Sequence, residues 1–495
     1  MGPVFEHYRP IRLWIGDSVP EICGPLTFRV RGRNPGPRHF VILTIMERRY
    51  SWSWVEARVA ESISVWNDCR HAFLPTSPRY SRKEQRKREI AYDEGLRAVQ
   101  REARRSPRTP AERLLVRQRV VALFPRFAAI ALGLEGQAIQ LLTGNFLPVG
   151  TQLARWARNF DATLGVDESI QACRNAWTAC GLQALLGRPM ELTPSILAYS
   201  LLYPYSDNYL DRPDLSTADK LQFSERFRQR LCGQLHSPLN PHEAAVWTMV
   251  QLIEEQYARP LFPQVFDSLL AIHRAQEESI AQLNNGVLFD LYGGGIDVLR
   301  ISCAKGGTSV LADACLAQPW LTPDESRFSF EWGVLLQLGD DLQDVEADLR
   351  RGSVSLFSRA AAEGRPLDSL VRQLLNLSLH VAGLMDRLPN GTPSLKNLLR
   401  MSWRSLILMA VADAKQLFSP AFLAELEPCS SFSFDFLRDR NEKLAGRQAL
   451  YATLFEAFLE AGPEKPSGLP LPDRSLPQGS ELPAAALGSM SNSFA

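Results

Sequence analysis

Apolar residues recur at spacings of three and four along most of the chain, the interval at which side chains share one face of a helix. The pattern begins at SWSWVEARVAESISVWNDC (51–69). After Pro110 it returns in AERLLVRQRVVALFPRFAAIALGLEGQAIQLL, ESIQACRNAWTACGLQALLG, PSILAYSLLYPYSDNYLD, HEAAVWTMVQLIEEQY and VFDSLLAIHRAQEESIAQL. Further on come VLRISCAKGGTSVLADACLA, FEWGVLLQLGDDLQDVEADL, LDSLVRQLLNLSLHVAGLMDRL, SLKNLLRMSWRSLILMAVADAKQLF and GRQALYATLFEAFLEAG, with Pro, Gly and Asn at the breaks. Strand-like alternation is confined to one short run, HFVILTIM (39–46). These periods predict an all-α fold with a single core of about 350 residues.

Four stretches follow from the pattern. Residues 1–50 mix Pro, Gly and Arg and are hard to read. Residues 51–115 read as N-terminal helices and a basic linker: from Arg79 to Arg108 there are eleven Lys or Arg against five Asp or Glu, with little apolar periodicity, so a solvated helix is expected. Residues 116–462 hold the main helical domain. Residues 463–495 are rich in Pro, Ser and Gly, and disorder is expected there.

Composition narrows the function. Hydrophobic residues make up 45% of the 495, ample for a core, and a formal net charge of +1 gives no argument for nucleic acid. The eight Cys show no CxxC pair and no zinc-ligand spacing, which fits reduced thiols and a cytoplasmic setting. Neither a signal peptide nor a membrane-spanning run is legible, although an apolar substrate could bring the protein to a membrane periphery. HExxH, P-loop and GxSxG patterns are absent.

Two acidic clusters interrupt the apolar pattern. QLGDDLQDVEADLRRG (337–352) carries five acids in nine residues directly after FSFEWGVLL. On a helix Asp340, Asp344 and Asp348 form one stripe, flanked by Asp341 and Glu346. Like charges at this spacing repel, by a few tenths of a kcal/mol per pair, unless a cation such as Mg²⁺ answers them. A solvated helix end, softened by Arg350 and Arg351, reads equally well from this stretch alone. Upstream, SILAYSLLYPY runs into Asp207 and Asp211, four apart, with Asp214 after Pro213. Two apolar helices that each end in carboxylates could face one another across a shared site. That arrangement suits ionisation of an allylic diphosphate, whose charge needs divalent cations and whose carbocation needs a dry pocket.

At these residues the sequence resembles the class I isoprenoid synthase superfamily: trans-prenyl diphosphate synthases, squalene and phytoene synthases, and terpene cyclases. DNYLD (207–211) looks like a first aspartate motif of DxxxD form. GDDLQDVEADLRRG is similar to the second, DDxxD, motif, and the Asp340, Asp344, Asp348 spacing matches the ligand triad of terpene cyclases. ISCAKGGTSVLADACLA (301–317) is similar to the Lys-Thr-Gly/Ala helix that precedes that motif. The resemblance covers residues 120 to 460 or so, through these three motifs. It implies an all-α bundle around a central apolar cavity, with three Mg²⁺ held by Asp207, Asp211, Asp340, Asp341, Asp344 and Asp348. Lys305 and Arg212 would meet the diphosphate of an allylic prenyl substrate, and Gly306-Gly307 would mark a helix break at the pocket. Arg300, five residues before Lys305, is a further candidate for the diphosphate by its spacing, with an ordinary surface Arg the commoner outcome. A homodimer is allowed for.

The departures matter. The Gly-Gly-Lys-x-Arg segment that holds isopentenyl diphosphate in elongating enzymes has only Arg188 in its place. A single Arg212 stands where a pair is usual, and Asn208 where many relatives have Asp. Cyclisation or head-to-head coupling is therefore the leading expectation, with chain elongation second. A helical binding or scaffold protein that kept the fold without catalysis is the reading from another class. Secondary candidates are Gln276, Glu277, Ser279 and Gln282 for substrate orientation, and Arg438, Arg440, Lys443 and Arg447 for a basic lid. Tyr203, Tyr205, Tyr209, Phe330 and Trp332 are candidates for the pocket wall. Surface roles for the polar group and core roles for the aromatic group are the commoner outcomes for such residues.

Overall fold

The computed structural model describes residues 50–71, 78–210, 212, 215–282, 297–445 and 448–459. These are all helix, turn or connecting loop, and no strand occurs among them. HFVILTIM and the C-terminal Pro/Ser-rich tail lie outside the described residues. The helices are α1 (Trp52–Asp68), α2 (Arg82–Ala103), α3 (Pro110–Phe127), α4 (Gly136–Leu141), α5 (Leu147–Phe160), α6 (Val166–Leu185) and α7 (Pro194–Leu210). There follow α8 (Thr217–Leu231), α9 (Pro241–Gln256), α10 (Pro263–Ser279), α11 (Val298–Ala317), α12 (Pro323–Gln343), α13 (Val345–Arg351) and α14 (Leu356–Ala362). The last are α15 (Asp368–Arg387), α16 (Pro393–Asp413), α17 (Pro420–Leu426), α18 (Phe434–Ala445) and α19 (Gln448–Leu459).

Local chemistry explains where these helices start. At α12, Thr322 accepts from the Glu325 amide at 3.2 Å while Glu325 accepts from the Thr322 amide at 2.7 Å, and Pro323 sits in the first turn. The same reciprocal cap opens α2 at Ser81 and Glu84, and α3 at Thr109 and Glu112. Pro also occupies the first turn of α5, α9, α10, α16 and α17, where its missing N–H costs nothing.

The core is built around α11 and α12, the most intimately packed pair. Gly306 and Gly333 make the closeness possible: a Cβ on either would run into the other's backbone, and one on Gly307 would strike the Phe330 ring. The sequence reading placed a helix break at Gly306-Gly307; instead α11 runs unbroken from Val298 to Ala317. The two glycines serve helix packing, where absence of a side chain matters more than backbone freedom. α11 also packs against α10, α6 and α1, and α12 against α16 and α15. Phe330 and Trp332 are buried in this core, with the Trp332 ring lying over Gly181 of α6.

The expected boundary near residue 115 falls inside α3, and the first helices belong to the same body as the rest. Trp66 of α1 is fully buried, Ser62 donates to Glu331 at 2.9 Å, and Gln373 of α15 donates to the Trp66 carbonyl at 3.0 Å. The basic residues of α2 face solvent as charge predicts, yet Gln85 is buried and donates to the carbonyls of Glu427 and Ser430. Glu89 accepts from the Ser433 amide at 3.1 Å. The helix is docked by its polar residues, a mode that apolar periodicity does not register. Among the described residues no helix is long and apolar enough to cross a membrane.

Candidate functional site

Charge comes together where α12 passes into α13, with α6 and α11 alongside. α12 ends at Gln343, α13 starts at Val345, and Asp344 is the shared residue between them. The Asp344 amide donates to the Asp340 carbonyl and the Asp348 amide to the Asp344 carbonyl, both at 2.8 Å. The helical register thus carries through the joint, and the three aspartates stay on one stripe. Gly352, in the left-handed region at φ 74°, closes α13 by donating to the Asp348 carbonyl.

The four carboxylates have different surroundings. Asp340 and Asp344 keep open surface, Asp348 is half-buried and Asp341 is buried. Asp341 turns into the α11–α12 seam, where one oxygen accepts from Ser302 Oγ at 2.7 Å and the other from Gln337 Nε2 at 2.9 Å. Asp340 is open to solvent on its own side chain, yet so ringed by protein that desolvation pushes its carboxyl up to about 7. Asp344 and Asp341 raise it further, while Arg174 and Lys305 pull the other way. Asp348 is also pushed up to about 7, by desolvation and then by Asp341 and Asp344, against a hydrogen bond with Ser355 and the charge of Arg351. Asp341 and Asp344 are raised too, in both cases chiefly by desolvation.

Arg174, an exposed residue of α6, lies within electrostatic reach of both Asp340 and Asp344 and eases their ionisation. Lys305 of α11 acts likewise on Asp340 and Asp341. The sequence reading named Lys305 and missed Arg174. The signal was faint: one cation among the small and apolar residues of ACRNAWTAC.

Other expected residues are distributed differently. Asp207 lies on the last turn of α7, its side chain outside the described set; Asp211 and Asp214 lie outside it altogether. Arg212 sits over the Tyr209 ring at 5.9 Å, and Tyr209 stacks on His242 with centroids 4.0 Å apart. Tyr205 donates to Asp161 at 2.6 Å. Arg300 pairs with Glu278 at 2.8 Å, so its guanidinium is directed to α10. Glu277 accepts from Ser224 Oγ at 2.5 Å, Gln276 is buried, and Ser279 donates to the Gln276 carbonyl at 2.8 Å. The Gln282 carbonyl accepts from the Val354 amide at 2.8 Å, tying the end of α10 to the segment after α13. Arg440 pairs with Asp93 of α2 at 2.8 Å and Lys443 with Asp439 at 3.8 Å; Arg447 lies outside the described residues. Arg188 donates to Gln318 at 3.0 Å and borders a hollow of about 290 Å³ that contains none of the acidic stripe.

The donor chemistry suits Mg²⁺ better than the assembled geometry does. Asp340 and Asp344 present accessible hard oxygens whose ionisation is opposed chiefly by desolvation, and a divalent cation would favour the ionised form. Among the described residues, however, no three His, Cys, Asp or Glu side chains converge as a ready metal group. Of the described cysteines all but Cys232 are buried. Cys173 and Cys180 have thiols pushed up to about 12, and no disulfide joins the described cysteines. The sequence matches no protein-family model, and no curated protein or solved structure was found to be similar to it.

Proposed function

We propose that the chain is a Mg²⁺-dependent class I isoprenoid synthase, which ionises an allylic prenyl diphosphate and cyclises it or couples it head to head. The observation that supports this reading is the acidic stripe beside an apolar helix core, with Lys305 and Arg174 within electrostatic reach of it. Asp340 and Asp344 would be the principal hard-oxygen donors, with Asp348 beside them and Asp207 and Asp211 of the first motif as further donors. Asp341, held by Ser302 and Gln337, would orient the stripe rather than coordinate directly. Bound Mg²⁺ would take up the charge of the departing diphosphate. Lys305 and Arg174 would donate to its oxygens, and charge-assisted bonds of that type strengthen as negative charge develops on the leaving group. On this reading the cation would need a dry apolar pocket beside α11 and α12 that keeps water from it.

A second reading draws on the same cluster. Arg174, Lys305 and Arg351 already answer part of the stripe, as they would in a helical scaffold that binds without turnover.

Purified protein with Mg²⁺ and prenyl diphosphates of ten to twenty-five carbons, each with and without isopentenyl diphosphate, separates the readings by mass spectrometry of the products. Hydrocarbon or alcohol from one substrate alone is expected. Longer diphosphates formed only with isopentenyl diphosphate would move the assignment to chain elongation. No turnover with any substrate would support the scaffold. Asp344→Ala is expected to lower turnover by at least about a hundredfold, the scale of losing a group that stabilises transition-state charge, and an unchanged rate would remove Asp344 from the site.

A further inference from the structure

Below the acidic stripe lies a buried polar link that the proposed chemistry does not use. Asp313 sits on α11 two helical turns beyond Lys305, on the same face. It is 1% exposed. Its Oδ1 accepts from Asn175 Nδ2 at 3.1 Å, while its Oδ2 is buried without a hydrogen-bond partner. The same Asn175 nitrogen lies 3.2 Å from Ser200 Oγ, so one amide of α6 joins α7 and α11. One turn earlier on α11, the Ser309 carbonyl accepts from Tyr199 Oη of α7 at 3.2 Å, a second tie across the same junction. Asn175 is the immediate neighbour of Arg174.

An ionised carboxylate here would be unanswered, because the groups around it are an amide, a hydroxyl and the Cys180 thiol. Burial keeps the Asp313 carboxyl well above the ordinary range, with the Asn175 hydrogen bond only partly opposing it. A neutral acid is a poor choice for simple packing, where Leu would fill the space without a stranded oxygen. What a short acceptor supplies and Leu cannot is a fixed direction for Asn175.

We infer that Asp313 is a positioning residue: through Asn175 it fixes the turn of α6 that presents Arg174 to Asp340 and Asp344. The consequence for ligand binding rests on the proposed role of Arg174 at a diphosphate, but the positioning itself does not. Without the link this turn of α6 keeps its packing against α5, α7 and α11 but loses its polar anchor, so Arg174 is held less closely to the stripe.

Two measurements test this. In urea unfolding of the metal-free protein, the midpoint shifts of Arg174→Met and Asp340→Asn are expected to be non-additive, as for groups that interact. The same non-additivity should persist in Asp313→Asn, which keeps the acceptor, and vanish in Asp313→Leu. Asn175→Ala cuts the link from the other end and serves if Asp313→Leu does not fold. Additive shifts in the parent, coupling that survives in both Asp313→Leu and Asn175→Ala, or coupling lost in Asp313→Asn would each overturn the inference. With Mg²⁺ present, the affinity for inorganic diphosphate should fall about tenfold in Asn175→Ala and Asp313→Leu, the worth of one charge-assisted hydrogen bond. It should stay within about twofold in Asp313→Asn. No diphosphate binding by the parent would defeat the proposed function, while the coupling measurement still decides the role of Asp313.

Discussion

At the scale of single residues, Asp340 is the most informative. Its carboxyl titrates at about 7 in the fold against 3.8 in an unperturbed chain, so between those values the folded state holds a proton that the unfolded state has lost. Its contribution to stability is therefore full below about pH 4 and lost as pH rises through 7. Asp340→Asn should remove that dependence. In metal-free buffer the variant and parent should unfold at similar urea concentrations at pH 4, and the variant should be more stable at pH 8 by about 1 kcal/mol. Full burial would give several times more, but water reaches this carboxylate and screens it. Equal stability at both pH values would mean that Asp340 is an ordinary surface acid. Asp340 was singled out in the sequence by the spacing of its carboxylates and Lys305 by the resemblance of its helix to a family motif, and the structure brings the two within electrostatic reach of each other. Arg174 was not, because a lone arginine on a helix looks like any solvated cation until α6 is seen beside α12. Arg300 shows the converse: its spacing suggested a ligand contact, and Glu278 occupies it.

At the scale of elements, helical periodicity located the helices, and capping residues such as Thr322 with Glu325 marked their starts. What periodicity could not convey is which glycine ends a helix and which lets two helices touch. Gly306 and Gly333 do the second, and the backbone contact between them sets the separation of α11 and α12. Gly333→Val should therefore force these helices apart and destabilise the protein by about 3 kcal/mol, at the upper end for an overpacked core. Urea unfolding measures it directly, and a cost under about 0.5 kcal/mol would show that the pair can separate without loss. The same separation holds Ser302 within reach of Asp341, so the variant should also disturb the stripe.

At the scale of the whole molecule, the all-helical class was legible, whereas the division at residue 115 was not observed. α1 and α2 are bound to the rest by buried polar contacts, Ser62 to Glu331 and Gln85 to the 427–430 carbonyls, and such contacts leave no period in a sequence. On the proposed function the acidic stripe and the two cations, Lys305 and Arg174, together hold a metal–diphosphate group. Calorimetric titration of inorganic diphosphate into the full chain, with and without Mg²⁺, tests this without any assumption about chain length or product. The expected result is saturable binding only with Mg²⁺, weakened at least about tenfold by Asp340→Asn and by Arg174→Met. Binding that is indifferent to Mg²⁺, or that survives both substitutions unchanged, would contradict it.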